Sequence, residues 1–221
     1  MIIMFRRTIL FLLIILVLIG CKNQSSKLDK EYLLKIGDQV ITVEDFKNAL
    51  EIAKTTYPYK MTENPEILKT VAIYILNQLR EEIILLERAK ELSISISDNE
   101  FKKAVDSIKK DYPNDYFEKV LVEYAISYKT WKHDFMRRML IEKVIEKELI
   151  DKVTIYPDDI TSYYRANYEN TTETKDLNEI IVKALRKQKA QENYDTWIKN
   201  LKDKYKVEVN DTRWKRIVGA N

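Results

Sequence analysis

Apolar residues recur every three or four positions along most of this chain, the spacing that places them on one face of an α-helix. The repeat is strongest after Asn64-Pro65, where proline suits the first position of a helix. It runs to Leu92 through Leu68, Ala72, Ile75, Leu79, Ile83, Leu86 and Ala89. Similar patterns predict helices over 43–54, 98–110, 128–150 and 177–205, one that ends near residue 125, and one that begins near Pro157.

Polar caps mark the beginnings of several of these predicted helices. Thr42 with Asp45, and Ser97 with Glu100, both have the capping-box spacing, in which each side chain bonds to the other residue's backbone N–H. Ser127 is the predicted cap of the helix over 128–150. The caps therefore indicate where these helices begin.

Apolar residues beside a tight turn, and an alternating segment, predict strands near the two ends of the predicted helical body. Gly37-Asp38 is flanked by the apolar residues Leu34, Ile36, Val40 and Ile41, a pattern that predicts two short strands around a tight turn. The segment "KVEVND" alternates and predicts one more strand. We expect 35–42 and 207–209 to pair. The predicted fold class is mainly α, with a multi-helix body and a small sheet that joins N-terminal strands to a C-terminal strand.

The first twenty residues have a different pattern. Arg6 and Arg7 precede an unbroken apolar run over 9–19, which is shorter than the roughly 20 residues that a membrane-spanning helix needs. A basic start, a short apolar run and a small last residue are typical of a secretory signal peptide. We therefore predict a signal peptide over 1–20.

The only cysteine of the chain follows directly. Leu18-Ile19-Gly20-Cys21 resembles the lipobox of bacterial lipoproteins. That resemblance implies cleavage between Gly20 and Cys21 and acylation of Cys21, with palmitate among the chains, so that the polar residues 21–31 become a flexible tether. The alternative is an uncleaved anchor with an incidental cysteine. A single cysteine excludes an intramolecular disulfide.

Composition and charge narrow the possible functions. The chain has 38 basic and 35 acidic residues, and loss of Arg6 and Arg7 with the signal peptide leaves 36 against 35. This near balance argues against nucleic-acid binding, which requires a concentrated basic excess. Glycine-rich phosphate-binding motifs are missing from the sequence, so we predict no nucleotide site. His133 is the only histidine, so we predict no metal site, no cofactor and no catalytic residues.

Tyrosine is unusually frequent, with 14 residues in the chain. Its broad apolar ring and its hydroxyl suit adaptable contact with peptides, and two methionines one turn apart add a deformable surface. The predicted contact surface consists of Tyr57, Tyr59, Tyr112, Tyr128, Trp131, Met136, Met139, Tyr163 and Tyr164. The alternative is that these residues belong to an ordinary core and its rim.

Five segments in the same order resemble the SurA/PrsA/PpiD class of extracytoplasmic folding factors. They are "KIGDQVITVEDFKNAL", "ILNQLREEIILLERAKELSISISDNEF", "AISYKTWKHDFMRRMLIEKVIEKEL", "KVTIYPDDITSYYRANYEN" and "YDTWIKNLKDKYKVEVND". The resemblance covers roughly residues 32–210. It implies a SurA-N-like helical chaperone region over 32–156, followed over 157–221 by helices and a closing strand that pack on the same core.

One departure from that class concerns its enzyme. In relatives a parvulin-type prolyl isomerase module follows the segment that corresponds to "YYRAN", whereas here only about ten residues separate Asn170 from the next predicted helix. We therefore expect a chaperone region without the isomerase module and without enzymatic activity.

Three functional hypotheses follow. The first is an ATP-independent, membrane-anchored chaperone that binds unfolded or newly exported proteins, possibly outer-membrane proteins, in the periplasm or outside the cytoplasm. The second is an adaptor or structural lipoprotein of one envelope complex, and the third an atypical prolyl isomerase. Lys22 after Cys21 resembles the sorting signal for the outer membrane, and the outer face of the cytoplasmic membrane is the alternative location.

Overall fold

The computed structural model describes residues 31–55, 57–58, 64–113, 116–168 and 176–219. Over these residues the chain forms eight α-helices and a three-stranded antiparallel sheet. The predicted fold class, mainly α with a small sheet, is therefore confirmed. The predicted signal peptide, Gly20, Cys21 and the tether up to residue 30 lie outside the described residues.

The chain divides into two compact units. One comprises Met1–Arg80 with Val207–Asn221 and is called here the sheet unit; the other comprises Glu81–Lys206 and is called the helical unit. The sequence-based division at residue 156 stays a prediction.

The small sheet brings the two ends of the described chain together. Strands β1 (Tyr32–Ile36) and β2 (Gln39–Thr42) form a hairpin, and β3 (Glu208–Val209) pairs with the other edge of β1. Lys35 is opposite Val40 in the hairpin, and Gly37 takes the left-handed conformation (φ 53°) that the tight turn requires. The predicted pairing of N-terminal strands with a C-terminal strand is confirmed.

Two helices pack on this sheet. Helix α1 (Val43–Lys54) begins at the predicted capping box: Asp45 N–H donates to Thr42 Oγ1 over 3.1 Å, and Thr42 N–H donates to Asp45 over 2.8 Å. The last helix, α8 (Asp211–Ile217), holds Trp214, whose ring lies edge-on to the fully buried ring of Phe46, with centroids 5.7 Å apart. These rings and the buried strand residues form the core of the sheet unit.

Helix α2 (Pro65–Glu91) contains the boundary between the two units. The apolar repeat predicted for it forms its buried face, because Ala72, Ile75, Leu79, Ile83, Leu86 and Ala89 are all buried. The helix ends in a turn in which Ser93 has a positive φ of 52° and Ile94 N–H donates to Ala89 O over 2.9 Å. This arrangement satisfies carbonyl groups that have no partner at the end of a helix.

The helical unit consists of the second part of α2 and five further helical segments. These are α3 (Asp98–Lys110), α4 (Tyr116–Glu123), α5 (Tyr128–Ile145), α6 (Pro157–Tyr168) and α7 (Leu177–Lys204), with a π-helical turn, Glu146–Ile150, directly after α5. Ser97 and Ser127 cap α3 and α5 as predicted. The prediction of one regular helix over 128–150 is corrected at its last five residues.

A buried ion pair accompanies this π-helical turn. Arg88 Nε donates to Glu148 Oε2 over 2.8 Å, and the two side chains are only 17 % and 7 % exposed. The hydrogen bond from Arg88 holds the pKa of Glu148 below its ordinary value. π-Helical turns interrupt regular α-helices, often at sites with a specific role, and here the interruption coincides with the burial of Glu148 against Arg88.

Further ion pairs connect the helices of this unit. They are Arg137–Glu82, Lys143–Glu100, Lys189–Asp159, Lys202–Glu81 and Lys204–Glu91. Most of these side chains are partly exposed, so each pair contributes no more than about 1 kcal/mol. The apolar core therefore supplies most of the stability of the unit, and the ion pairs join neighbouring helices at its surface.

Candidate functional site

The connection between α4 and α5 is short and well defined by backbone hydrogen bonds. Ala125 has a positive φ of 54°, and Ile126 N–H donates to Leu121 O over 2.8 Å. Ser127, directly after Ile126, caps the next helix: its Oγ accepts a hydrogen bond from the N–H of Thr130 at the start of α5 over 3.0 Å. The chain therefore reverses between the two helices without a glycine.

The last turn of α4 and the connection that follows it expose apolar side chains to solvent. Val122 is 79 % exposed, Tyr124 69 % and Ile126 42 %. We call these three residues the apolar turn. Their neighbours Tyr116 and Tyr128 are also exposed. Single exposed apolar residues are ordinary on protein surfaces, whereas a contiguous group is typical of a binding surface.

A cluster of aromatic rings lies directly beside the apolar turn. Trp131 on α5 is its centre, with ring centroids 4.9 Å from Phe117, 5.1 Å from Phe135 and 5.7 Å from Tyr128. The aromatic cluster as a whole comprises Phe101, Tyr112, Tyr116, Phe117, Tyr128, Trp131 and Phe135.

The aromatic cluster joins three helices and changes from buried to exposed across its width. Phe101 and Phe117 are buried, Trp131 and Phe135 are half-buried, and Tyr128 is exposed. Ring pairs of this kind contribute about 0.5–1.5 kcal/mol each beyond the area that they bury. The cluster therefore fixes α3, α4 and α5 to one another and supports the apolar turn on a rigid base.

Cations lie over the buried rings of this cluster. Lys109 Nζ is 5.2 Å from the centroid of Phe117, and Lys132 Nζ is 4.9 Å from that of Phe101. Lys109 also donates a hydrogen bond to Glu118, which raises the pKa of Lys109 and lowers that of Glu118. The site is thus apolar and aromatic at its centre, with charged groups at its edge.

Three of the residues predicted as a contact surface meet in this cluster: Tyr112, Tyr128 and Trp131. Met136 and Met139 are half-buried on α5. The remaining predicted residues are not brought to this cluster by any ring contact of the described chain. Tyr57 belongs to the sheet unit, Tyr59 lies outside the described residues, and Tyr163 and Tyr164 are half-buried on α6.

Sequence reasoning missed the members of the apolar turn. Tyr124 is not among the predicted contact residues, although tyrosine content is the basis of that prediction, and Val122 and Ile126 give no signal of their own. A detectable signal exists in retrospect. Between two helices, where polar turn residues are usual, this chain has four consecutive positions, Glu123 to Ile126, of which three are apolar or aromatic.

The titratable groups of the described residues give no evidence of acid–base catalysis. Every resolved shift moves the pKa away from neutrality: hydrogen bonds from Lys204, Tyr205 and Arg88 lower the pKa of Glu91 to about 2, and burial raises that of Tyr194 to about 12. His133 is exposed on α5. Within the described ranges, no group of three His, Cys, Asp or Glu side chains is arranged to hold a metal ion.

None of the described helices combines the length and the apolarity that a membrane span requires.

Comparisons with known proteins agree with this architecture. A family model described as the SurA-like N-terminal domain matches residues 4–145. The foldase protein PrsA of Clostridium botulinum strain 657 is 30 % identical over 172 residues, which cover 70 % of this chain and 51 % of that protein. The corresponding foldase of strain Hall is 32 % identical over the same shares. PrsA of Clostridium acetobutylicum is 26 % identical over 169 residues, 70 % of this chain and 50 % of that protein. The chain spans about half the length of the curated relatives that it matches.

Proposed function

The chain belongs to the SurA-like N-terminal domain family, and from that premise we propose that it is a membrane-anchored, ATP-independent chaperone for unfolded or newly exported proteins. Its similarity to proteins named foldases supports a role in protein folding. The client-binding surface that we propose is the apolar turn together with the exposed side of the aromatic cluster.

The single observation that carries this proposal is the exposure of Val122, Tyr124 and Ile126 at the end of α4 and in the hydrogen-bonded connection to α5. Burial of apolar area is non-directional, so such a surface can bind many unfolded sequences without a defined motif. The aromatic cluster behind the turn contributes tyrosine rings at its exposed edge. Tyrosine adapts to varied partners because it combines apolar area with a hydroxyl group.

We further propose that this chain has no prolyl isomerase activity. Helix α6 ends at Tyr168 and α7 begins at Leu177, which leaves no space between them for a module of roughly 90–100 residues, about the length implied for a compact domain. The expected result is that the purified chain leaves the cis–trans exchange rate of a proline-containing peptide unchanged. A measurable acceleration that depends on the chain would refute this part of the proposal.

The membrane anchor in this proposal is acylated Cys21, facing the periplasm or the outside of the cytoplasmic membrane. The support is the sequence of residues 1–21. Mass spectrometry of the chain from cell envelopes should find a diacylglyceryl group on Cys21 as the first residue. Cys21→Ser should abolish that modification, and an unmodified Cys21 within an uncleaved chain would contradict the anchor without affecting the chaperone proposal.

The central experiment measures whether the soluble form, residues 22–221, prevents aggregation of an unfolded exported protein diluted from urea, without ATP. We expect a small molar excess of the chain over the client to suppress aggregation. An excess is needed because each contact is weak, and a small one suffices because the surface is accessible. No suppression at several-fold molar excess would contradict the proposal. Crosslinking in intact cells distinguishes the adaptor alternative, which predicts one stoichiometric partner instead of a range of unfolded clients.

A further inference from the structure

A second apolar surface lies in the sheet unit, between α1 and the C-terminal helix α8. It is a cavity of about 600 Å³ whose apolar walls include Phe46, Leu50 and Ile217. Phe46 is fully buried and is supported from behind by Trp214. The wall of the cavity is therefore rigid, and it is separate in sequence from the apolar turn of the helical unit.

Cations surround this cavity. Lys47 projects from α1, and Arg213 and Arg216 project from α8. Of the described residues that line the cavity, one is a carboxylate, Glu51, which already forms an ion pair of 2.7 Å with Lys54. Among the described residues, no carboxylate forms an ion pair with any of the three cations that line the cavity. The site thus combines an apolar wall with an excess of positive charge.

The cavity lies where the predicted tether enters the fold. Arg213 Nη1 donates to the carbonyl of Tyr32, the first residue of β1, over 2.8 Å. Residues 21–31 precede this strand, and eleven extended residues span at most about 40 Å. If Cys21 is acylated, a point that rests on the proposed function, these cations are within reach of the lipid headgroups.

We propose that this cavity binds an anionic phospholipid, with its phosphate between Lys47 and Arg216 and the first part of an acyl chain against the partly exposed side chains of Leu50 and Ile217. Guanidinium and ammonium groups form charge-assisted hydrogen bonds with phosphate oxygens. A phospholipid provides acceptors and apolar chains, which is what the cavity can satisfy. A peptide would also bring backbone N–H donors, which need acceptors. Glu51, the one carboxylate among the described lining residues, already has a partner.

The test uses the full chain and a phosphatidylglycerol that has a photoactivatable diazirine in its acyl chain. The chain is studied in phosphatidylcholine vesicles and, independently of any anchor, in mixed micelles. After irradiation, mass spectrometry identifies the labelled peptides. We expect label in the peptides that contain α1 and α8, and little label from a phosphatidylcholine with the same diazirine.

Matched variants make the test specific. Lys47→Gln with Arg216→Gln should reduce labelling roughly tenfold, as expected for the loss of two charge-assisted contacts. Lys215→Gln removes an exposed cation from the same helix that does not line the cavity, and it should leave labelling nearly unchanged. The two-residue variant should also prevent client aggregation as well as the parent chain, which separates this proposal from the client surface.

Three results would overturn the proposal: equal labelling by the zwitterionic lipid, an equal loss in Lys215→Gln, or no label at α1 and α8 in either vesicles or micelles. Flotation of the chain with the vesicles is recorded before irradiation. Failure to float contradicts the anchor, whereas flotation or micelle binding without label at these helices contradicts the cavity.

Discussion

The apolar turn gives the most direct prediction about client binding. Replacing Val122 and Tyr124 together with serine removes exposed apolar groups and retains the backbone of the α4–α5 connection. Ile126 is left unchanged because more than half of its surface is covered, so its replacement would also affect folding. We expect the double variant to fold like the parent chain and to bind unfolded clients more weakly.

The size of the effect follows from the exposed area. A client that covers Val122, 79 % of which is exposed, gains about 1 kcal/mol, and one that covers Tyr124 gains about 2 kcal/mol. Because a bound chain covers only part of each side chain, we expect the pair to contribute about 1.5 kcal/mol, or a roughly tenfold change in apparent Kd. Stability should change by no more than about 0.5 kcal/mol, as is usual at exposed positions.

The assay compares how much chaperone is required for half-suppression of client aggregation. The double variant should require about ten times more than the parent chain. A matched control replaces Ile52 and Tyr74, which are 69 % and 58 % exposed in the sheet unit, with serine. If the control variant loses as much activity as the apolar-turn variant, or if the latter loses none, the assignment of the client surface is wrong.

Three further predictions concern the helical unit. Glu148→Ala should lower the free energy of urea unfolding by about 3 kcal/mol, because it leaves the Arg88 guanidinium poorly paired. Glu146 is exposed on the same turn, so Glu146→Ala should change this free energy little. Equal effects of the two substitutions would show that the ion pair is unimportant. Hydrogen bonds lower the pKa of Glu91 to about 2 and also lower the pKa of Glu148. Stability should therefore be constant above about pH 5 and decline as the pH falls from 4.5, the ordinary pKa of glutamate, through the folded-state pKa values. A thermal midpoint that does not change down to pH 3 would contradict this prediction. Trp131→Ala should lower the free energy of urea unfolding by about 2–3 kcal/mol, since it removes the half-buried centre of the aromatic cluster. A loss below about 1 kcal/mol would show that the cluster does not hold the three helices together.

The pH prediction depends on the sign of the shifts. A carboxyl group whose pKa is lower in the folded state stabilises the fold above its unfolded-state pKa, and this contribution disappears as the pH falls through the folded-state pKa. Glu91 accepts hydrogen bonds from Lys204 and Arg88 side chains, and Glu148 accepts from Arg88. The decline on acidification therefore includes the contacts between α2, the π-helical turn and the end of α7. Glu100, Glu118 and Asp159, whose pKa values are also lowered by hydrogen bonds, contribute in the same direction.

Sequence reasoning was most successful where the determining interactions are local. The caps Thr42, Ser97 and Ser127 bond to backbone N–H groups three residues away, so their pattern is present in any short window of the sequence. The apolar repeat of α2 is similarly local because one face of a helix is defined by its own spacing. The small sheet was also predicted, because strand patterns occur at both ends of the helical body and strands from the two ends can pair with each other.

The candidate site was less accessible from the sequence. Helix α4 has only eight residues, and its apolar residues extend around most of its surface, so periodicity does not tell the buried Leu121 from the exposed Val122. Ala125 adopts a left-handed conformation for which glycine is the usual signal. The chain reversal and the exposure of Tyr124 therefore could not be derived from local propensity.

The sequence by itself determined most of the helices and their caps, because these depend on periodicity and on contacts between near neighbours. The last helix, α8, was not predicted. The strands followed from alternation, and the family followed from the resemblance of five segments in order. Only the tertiary structure decided which aromatic residues meet, which apolar residues remain exposed, and that Glu148 is buried against Arg88, 60 positions away along the chain. The physical reason is that burial and pairing depend on neighbours distant in sequence. A tyrosine or a glutamate has the same local pattern whether another helix covers it or not.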